Sequence, residues 1–381
     1  MSLSADELRR YARHLVLPQV GATGQERLKQ SRVLVIGAGG LGSPVALYLA
    51  AAGVGRIGLV DDDRVDVSNL QRQVLYGTAV LGQLKVDAAQ QRLRDLNPTI
   101  TIDAIPARFT RDNALTLVRE YDIVVDGTDA FATRYLINDA CVIAGRPNVH
   151  GSVHRFEGQV SVFGTAGGPC YRCLFPDPPE AGSVPSCADG GVLGVLPGII
   201  GSLQAAEAIK LVVMTGTPLI GRLLHFDARS MRMHEIAIAR DPACPSCGDG
   251  AARTLLDDYD LFCGTTASDP AVMNSEPVEL TPTQLKQRMG EGWKPWLLDV
   301  REPWEYATAN IAGAVLIPLE DLSQRAREVP KDQDVVVYCH HGMRSARAAS
   351  MLRLAGWPHV FNLAGGIDRW ATEADSSVPR Y

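Results

Sequence analysis

The order of apolar and polar positions predicts short buried strands that alternate with helices over the first part of the chain. Short apolar runs bounded by turn residues are typical of buried strands, and longer stretches with apolar residues three or four positions apart indicate helices. The predicted strands cover residues 33–36, 56–60, 100–105 and 122–125, and the predicted helices cover residues 86–96 and 133–144. Elements in this order form a doubly wound, mostly parallel α/β sheet.

The pattern changes after residue 149 and again near residue 250. Short strands between 149 and 162 and a long apolar helix at 196–214 complete a first domain, residues 1–250. Periodicity is then lost in a segment rich in Gly, Asp, Ser and Thr, which predicts a linker over residues 251–276. A second, smaller α/β domain is predicted over residues 277–381. Its predicted strands cover 296–300 and 334–338, and its predicted helices cover 283–288 and 345–355.

The composition is that of ordinary globular domains. A chain of 381 residues exceeds the roughly 250 to 300 residues that one hydrophobic core organises, which agrees with two domains. With 46% hydrophobic and 21% charged residues, general disorder is excluded. The formal net charge of -6 argues against nucleic acid as the main partner.

Neither membrane insertion nor secretion is indicated. No run approaches the roughly 18 uninterrupted apolar residues that a bilayer-spanning helix needs. The first residues mix acids and bases and lack an apolar segment before a small-residue cleavage site. We therefore expect a cytoplasmic protein whose eight cysteines are reduced and serve as metal ligands or reactive thiols rather than in disulfides.

A glycine turn follows the first predicted strand. Gly37, Gly39 and Gly42 fit the G-x-G-x-x-G spacing, which lets a backbone and a helix N-terminus approach phosphate closely. The second strand ends in Asp61, about where a nucleotide-binding unit places the acid that binds ribose. By itself this turn fits a nicotinamide- or flavin-dependent oxidoreductase equally well.

Charged residues elsewhere favour a nucleoside triphosphate. Arg13, Arg72 and Lys85 suit the charge of three phosphates, although each taken alone is more typical of a solvated surface residue. Asp129 follows the strand that ends near Val125, close to the sheet edge where ligands bind, and could hold Mg²⁺.

Taken together, these segments resemble the MoeB/ThiF family, relatives of the ubiquitin-activating enzymes. The resemblance runs from about Ala5 to Gly248 and includes RYARH, GAGGLGSP, VDDDRVDVSNLQRQ, DGTDAFATR and GGVLGVLPGIIGSLQAAEAIK. It implies ATP-dependent adenylation by a homodimer in which Arg13 comes from the other subunit. The residues implied to bind the adenylate are Gly40, Asp61, Ser68, Asn69, Leu70, Gln71, Arg72, Lys85, Asp129 and Ala130, the last standing where the family commonly has Asn.

The implied chemistry explains these charges. A carboxylate is a poor electrophile, and attack of its oxygen on the α-phosphate of ATP turns it into an acyl adenylate with a good leaving group. Cations and Mg²⁺ stabilise the charge on the phosphates, so Arg72, Lys85 and Asp129 are expected to be catalytic. The protein needs no nucleophile for this step.

Four cysteines form two close pairs, Cys170-x-x-Cys173 and Cys244-x-x-Cys247. Four thiolates complete the tetrahedral shell of a structural Zn²⁺ and leave no position open for catalysis. Reduced, packed thiols are the alternative. The resemblance also supports zinc, since many MoeB-like members bind it with matching cysteines.

Three further cysteines lie outside these pairs in the first domain and linker. Cys187, in the small-residue segment SVPSCADGGVLG, is expected on a loop over the nucleotide site, where exposure would suit a nucleophile. In the sulfur-transferring relatives the matching cysteine is thought to form a thioester or a disulfide with the transferred group, and a plain loop cysteine is the alternative. Cys141 is expected in a helix core, and no role is assigned to Cys263.

The eighth cysteine, Cys339, ends an apolar strand of the second domain. A short loop runs from it to Arg344, and a helix is predicted to begin at about Ser345. This places the thiol among backbone N–H groups at a helix N-terminus, where an anionic sulfur is favoured and a persulfide can be carried. The segment resembles the active-site loop of rhodaneses, and that resemblance covers Pro277 to Tyr381.

Cys339 has two other interpretations. A cysteine phosphatase also uses Cys, a loop and Arg, but such phosphatases resemble C-x5-R, whereas four residues separate Cys339 from Arg344. The tighter loop suits one sulfur atom better than a phosphoryl group. A buried structural cysteine is the second interpretation.

The two domains together resemble the MoeZ-like adenylyltransferase/sulfurtransferases. This implies adenylation of the C-terminal Gly-Gly carboxylate of a ubiquitin-fold sulfur-carrier protein, followed by transfer of persulfide sulfur from Cys339 to give a thiocarboxylate. A cysteine desulfurase or thiosulfate would supply the sulfur. A non-catalytic scaffold that binds nucleotide and carrier, and an NAD-dependent oxidoreductase, are the alternatives. The carrier, and with it the pathway, is not identified by the sequence.

Overall fold

The computed structural model describes residues 3–179, 191–263 and 278–381. The chain forms two compact units, residues 1–265 and residues 266–381. Each contains its own sheet.

The first unit is built on an eight-stranded sheet with the order β3-β2-β1-β4-β5-β6-β7-β8. Strands β1 to β5 are parallel to their neighbours, and β5 to β8 pair antiparallel. The strands are β1 (Arg32–Ile36), β2 (Arg56–Val60), β3 (Thr101–Ile105), β4 (Ile123–Asp126), β5 (Asn148–His154), β6 (Glu157–Phe163), β7 (Arg222–Asp227) and β8 (Arg232–Ala237). The doubly wound, mostly parallel α/β sheet predicted from the sequence is confirmed.

Both faces of the parallel strands are buried. Val33 and Val35 of β1 point into one core, and Leu34 and Ile36 point into a second core on the opposite face. Because successive side chains of a strand point to opposite faces, a strand covered on both sides is a continuous apolar run. The apolar runs of the sequence therefore predict these strands well.

Helices cover the two faces of this sheet. They are α1 (Ala5–Arg10), α2 (Ala12–Leu15), α3 (Gly21–Gln30), α4 (Gly42–Ala52), α5 (Lys85–Leu96), α6 (Arg111–Glu120), α7 (Phe131–Ala144), α8 (Tyr171–Leu174), α9 (Val195–Val213) and α10 (Tyr259–Phe262). Single 3-10 turns occur at Val67–Asn69 and Thr78–Val80.

Helix α9 has the length and the apolar composition of a membrane span, and 44% of its apolar window is buried inside the protein. It packs against α4, β5 and β6. Two buried polar side chains of α9 bond to neighbouring backbone groups. Gln204 donates to the carbonyl of Asp126 on β4 at 2.7 Å, and Glu207 accepts from the backbone N–H of Leu219 at 2.8 Å.

The described part of the predicted linker, residues 251–263, packs on the first unit. Tyr259 and Cys263 are buried in one of its cores. Arg111 of α6 donates to the carbonyl of Leu256 and pairs with Asp257, each at 3.0 Å. The rest of that segment lies outside the described residues.

The second unit has a five-stranded parallel sheet with the order β11-β10-β12-β13-β9. Its strands are β9 (Val278–Leu280), β10 (Trp296–Asp299), β11 (Val315–Leu316), β12 (Val335–Tyr338) and β13 (Val360–Leu363). Its helices are α11 (Pro282–Gly290), α12 (Pro303–Thr308), α13 (Leu322–Arg325), α14 (Met343–Leu354) and α15 (Gly366–Glu373), with a 3-10 turn at Ala326–Glu328. Central strand β12 is buried on both faces, and the smaller α/β domain predicted from the sequence is confirmed.

Candidate functional site

The glycine turn after β1 brings two backbone segments into contact. Gly37 has φ +89°, and a Cβ on it would lie 2.8 Å from the carbonyl oxygen of Gly127 at the end of β4. A Cβ on Gly42 would lie 1.9 Å from the carbonyl oxygen of Gly37. Only glycine fits these two positions, because a side chain would push the start of α4 away from the ends of β1 and β4. The turn therefore leaves the helix N-terminus open to a ligand.

A cleft of about 310 Å³ lies at this edge of the sheet. The structure places seven of the predicted nucleotide-binding residues in its lining: Gly40, Asp61, Asn69, Arg72, Lys85, Asp129 and Ala130. The other four predicted residues, Ser68, Leu70, Gln71 and Arg13, do not line it. Of these, Ser68 accepts from the Arg72 guanidinium through its carbonyl at 3.0 Å, and Arg13 is exposed on α2.

Asp61 and Lys85 form the electrostatic centre of the cleft. Asp61 accepts from the backbone N–H groups of Ala38 and Asp63, at 2.8 and 2.9 Å. The buried Lys85 Nζ lies 2.7 Å from Asp63 Oδ2 and 4.0 Å from Asp61 Oδ1. Burial raises the pKa of Asp61, although the Lys85 charge and the two N–H groups act against it. A buried lysine beside two acids can exchange these partners for a phosphate.

The acids of this edge could hold a cation. The carboxylates of Asp61, Asp62 and Asp63 lie within 4.8 Å of one another, and the exposed Asp129 lines the same cleft from the β4 side. Oxygen ligands together with phosphate oxygens are the surroundings that Mg²⁺ prefers.

The cleft also contains residues that the sequence analysis did not assign. They include Gln73, Arg108, Phe109, Arg134 and Pro197. Gln73 and Arg134 belong to the quoted segments SNLQRQ and DGTDAFATR, so a signal for them existed. Arg108 and Phe109 follow β3 and carry no motif.

The two cysteine pairs meet in space. Cys170 Sγ lies 3.6 Å from Cys244 Sγ, and Cys173 Sγ lies 3.4 Å from Cys247 Sγ. All four sulfurs are within 4.8 Å of one another. Zn–S bonds of about 2.3 Å in a tetrahedron require sulfurs about 3.8 Å apart. The donor set and its spacing therefore fit a zinc ion.

A buried polar network supports this cluster. Asp139 of α7 accepts two hydrogen bonds from Arg172, at 2.9 and 2.8 Å, and one each from Ser246 and Tyr259. Arg172 lies between the first two cysteines and Ser246 between the last two, while Tyr259 belongs to the segment after them. One carboxylate therefore holds both cysteine loops and the following turn together.

The second unit encloses the thiol of Cys339. Cys339 follows β12 and is 1% exposed. The backbone N–H of Gly342 donates to its Sγ at 3.1 Å, and Ser345 Oγ lies 3.4 Å from the same sulfur. The helix after the loop begins at Met343, two residues before the predicted start. A sulfur anion in this position has a backbone donor and a helix N-terminus beside it.

The guanidinium of Arg344 pairs with a carboxylate from another helix. Its two Nη atoms donate to the two oxygens of Glu305 on α12, both at 2.7 Å. Burial works to raise the pKa of Glu305, but the N–H groups of Arg344 and Glu302 outweigh it, so the pKa lies below its usual value. Tyr381 also donates to Glu305, at 3.2 Å. The guanidinium is thus fixed beside the loop by a buried ion pair.

The remaining cysteines differ in their surroundings. Cys187 lies outside the described residues. Cys141 is fully buried in α7, where burial raises the pKa of its thiol. Burial also raises the pKa of Cys263, to about 11. Neither Cys141 nor Cys263 lines the cleft.

Comparison with known proteins agrees with the division of the chain into two units. Residues 11–246 match the ThiF family, and residues 281–373 match the rhodanese-like domain. The probable adenylyltransferase/sulfurtransferase MoeZ of Mycobacterium tuberculosis is 46% identical over 386 residues, which cover 100% of this chain and 97% of that protein. The adenylyltransferase and sulfurtransferase MOCS3 of Sus scrofa is 43% identical, covering 100% of this chain and 89% of that protein.

One relative matches the first unit alone. The sulfur carrier protein adenylyltransferase of Thermus thermophilus is 54% identical over 269 residues, 69% of this chain and 99% of that protein. Among solved structures, E. coli MccB with ATP superposes with a TM-score of 0.56 at 25% identity, covering 63% of this chain and 75% of that chain. The chain therefore belongs to the ThiF family, carries a C-terminal rhodanese-like domain, and is an enzyme of the adenylyltransferase and sulfurtransferase classes.

Proposed function

We propose that the protein adenylates the C-terminal Gly-Gly carboxylate of a ubiquitin-fold sulfur-carrier protein and then converts it to a thiocarboxylate with sulfur carried on Cys339. The observation that carries this proposal is the presence in one chain of two sites. One is a cleft with cations and acids at the edge of a parallel sheet, and the other is a thiol beside a helix N-terminus.

The first step joins the carrier carboxylate to AMP. A carboxylate oxygen attacks the α-phosphorus of ATP, the bond to the β-phosphate breaks, and pyrophosphate leaves with the electron pair. In this proposal Arg72 and Lys85 neutralise the phosphates, and the open N-terminus of α4 receives them. Asp129 would hold Mg²⁺, which when bound offsets phosphate charge. We propose that Asp61, which accepts from two backbone N–H groups, binds the ribose.

The second step transfers sulfur. The thiolate of Cys339 attacks the sulfane sulfur of the donor, which we propose to be thiosulfate or the persulfide of a cysteine desulfurase. Sulfite or the donor's cysteine thiolate leaves, and Cys339 carries the persulfide. The terminal sulfur of this persulfide attacks the acyl adenylate carbon, and AMP leaves. The acyl disulfide that results is cleaved when a second thiolate attacks the Cys339 sulfur. The carrier thiocarboxylate leaves, and Cys339 remains in a disulfide that an external thiol reduces. Cys187 is our candidate for the second thiolate.

Two further assignments complete the proposal. We propose that Cys170, Cys173, Cys244 and Cys247 hold one structural Zn²⁺, because their sulfurs have the required spacing and leave no position for substrate. We also propose a cytoplasmic homodimer in which Arg13, exposed on α2, reaches the cleft of the other subunit. Nucleic acid and membrane have no part in this proposal.

The test is mass spectrometry of the carrier after incubation with ATP and a sulfur donor. A thiocarboxylate is heavier than the carboxylate by the exchange of one oxygen for sulfur. Cys339→Ala should still form acyl adenylate but give no thiocarboxylate, so the adenylate accumulates. Cys187→Ala should slow transfer without abolishing it.

Cys263→Ala is the matched control, since it removes a buried thiol outside both sites. It should sulfurate the carrier at the parent rate. Sulfuration at the parent rate by Cys339→Ala under low external sulfide would show that the second unit is not the donor.

A further inference from the structure

A buried His–Asp pair lies directly behind the turn that carries Asp129. Asp126 is the last residue of β4, and His150 stands opposite it on β5 in the parallel pairing of the two strands. The side chains are 1% and 2% exposed, and His150 Nδ1 lies 2.9 Å from Asp126 Oδ2. Because the carboxylate can only accept, the imidazole proton of this hydrogen bond lies on Nδ1.

Asp126 is bonded to the turn on its other side. Its Oδ1 accepts from the backbone N–H of Thr128 at 3.1 Å, and its carbonyl accepts from Gln204 at 2.7 Å. Thr128 then holds the next residues: its Oγ1 accepts from the N–H of Ala130 at 3.1 Å, and its carbonyl accepts from Arg134 at 3.2 Å. The carboxylate of Asp126 therefore fixes the backbone on both sides of Asp129.

The His150 ring is itself held in place. It contacts the rings of Tyr171 and Phe163, with centroids 5.1 and 5.8 Å apart, and burial lowers the pKa of its imidazole. A neutral ring with its proton on Nδ1 is thus the stable form. Without that donor, Asp126 would keep a buried oxygen with no partner, and a carboxylate in that state rotates or takes up a proton.

We infer that His150 is a positioning residue for adenylation: through Asp126 it fixes the turn from Gly127 to Ala130, and so sets where Asp129 meets the phosphate-bound cation. This inference rests on the proposed function. His150 does not line the cleft and touches no reacting group, so its effect passes through Asp126 alone. Binding of the carrier protein should not depend on it.

Two variants that differ by one methylene group test the inference. His150→Asn places an amide N–H about where Nδ1 stands, whereas His150→Gln carries its amide one atom further out, near the Nε2 position. We expect His150→Asn to keep kcat/KM for ATP within threefold of the parent. His150→Gln should lower it at least tenfold, mainly through KM for Mg·ATP, with KM for the carrier unchanged.

Phe163→Leu is the packing control. It disturbs the same ring contact but no hydrogen bond of the turn, so it should lower thermal stability and leave kcat/KM for ATP unchanged. Equal kcat/KM for the Asn and Gln variants, or a loss in Phe163→Leu as large as that in His150→Gln, would overturn the inference.

Equilibrium binding of Mg·ATP, measured by calorimetry in the same full-length proteins, separates this inference from the proposed function. A parent protein that binds Mg·ATP but shows no carrier-dependent exchange of pyrophosphate would refute the adenylation proposal. The positioning role would still be decided, because His150→Gln should bind Mg·ATP at least tenfold more weakly than His150→Asn. Equal affinities would refute it.

Discussion

Lys85→Ala should nearly abolish carrier-dependent ATP/pyrophosphate exchange while leaving the protein folded. Lys85 is a buried cation of the cleft, with its ammonium 2.7 Å from Asp63 and 4.0 Å from Asp61. Removing one preorganised group that stabilises transition-state charge lowers kcat by about 10²- to 10³-fold, or ~2.7–4 kcal/mol. We expect a loss in this range, and a similar one for Asp129→Ala.

The loss of folding free energy in Lys85→Ala should be smaller than the loss of transition-state stabilisation. Two acids lose their partner, and each limits this loss for a different reason. The side chain of Asp63 is 68% exposed, so its pair with Lys85 contributes only about 0–1 kcal/mol. Asp61 is 10% exposed, and burial already raises its pKa against the opposing charge of Lys85. Without Lys85 that pKa rises further, and proton uptake by Asp61 limits the loss of folding free energy.

The assay is exchange of labelled pyrophosphate into ATP with the carrier present, together with thiosulfate sulfurtransferase activity of the same protein. Lys29→Ala is the matched control, since Lys29 pairs with the buried Glu7 at 2.8 Å and does not line the cleft. It should exchange at the parent rate. Exchange at the parent rate by Lys85→Ala would refute the nucleotide-site assignment, whereas equal loss of both activities would indicate a folding defect.

Two further predictions concern the metal and the second unit. Metal analysis of protein purified without chelator should find one zinc per chain. Replacing both Cys170 and Cys173 by Ser should remove the zinc and lower Tm, whereas Cys263→Ala should keep the zinc. Parent protein that contains no zinc would contradict the assignment. The pKa of Glu305 is lowered in the folded protein, so its carboxylate stabilises the second unit above the unfolded pKa of about 4.3, and this stability is lost as pH falls through the folded value. All five tryptophans lie in that unit, at Trp293, Trp296, Trp304, Trp357 and Trp370, so fluorescence of the full chain follows its acid unfolding. Glu305→Gln should flatten the curve below about pH 4.5, and an unchanged curve would refute the role of the ion pair.

The sequence predicted strands that are buried on both faces, such as β1 and β12, and missed the fully exposed strand β8. Strands β1 and β12 are continuous apolar runs because two cores cover them. By contrast, every residue of β8 is exposed, and the strand exists because it pairs with β7. Its residues, RMHEIA, carry no pattern that separates a strand from a loop. Pairing with the neighbouring strand, rather than local propensity, decides such elements.

The same distinction applies to the site. Cysteine spacing and the glycine turn are local features, so the sequence alone predicts them. The bond from Arg344 to Glu305 spans 39 residues, and the bond from His150 to Asp126 spans 24. Each depends on which strands are neighbours and in what register: Asp126 faces His150 only because β4 pairs with β5 at that residue. Sequence motifs identify residues that contact a ligand, but they do not reveal the residues that fix those ligand-binding residues in position.

Both units place their reactive groups where parallel strands end. Asp61 follows β2, Asp129 lies three residues after the end of β4, and Cys339 follows β12. At such an edge, strand ends and helix N-termini present backbone N–H groups, which favour an anion of any kind. Space then decides which anion binds. The first unit keeps about 310 Å³ open beside glycines that have no side chain, a volume that lies within the size range of small-molecule sites. The second closes its loop around a thiol that is 1% exposed, which suits one added sulfur atom better than a phosphoryl group.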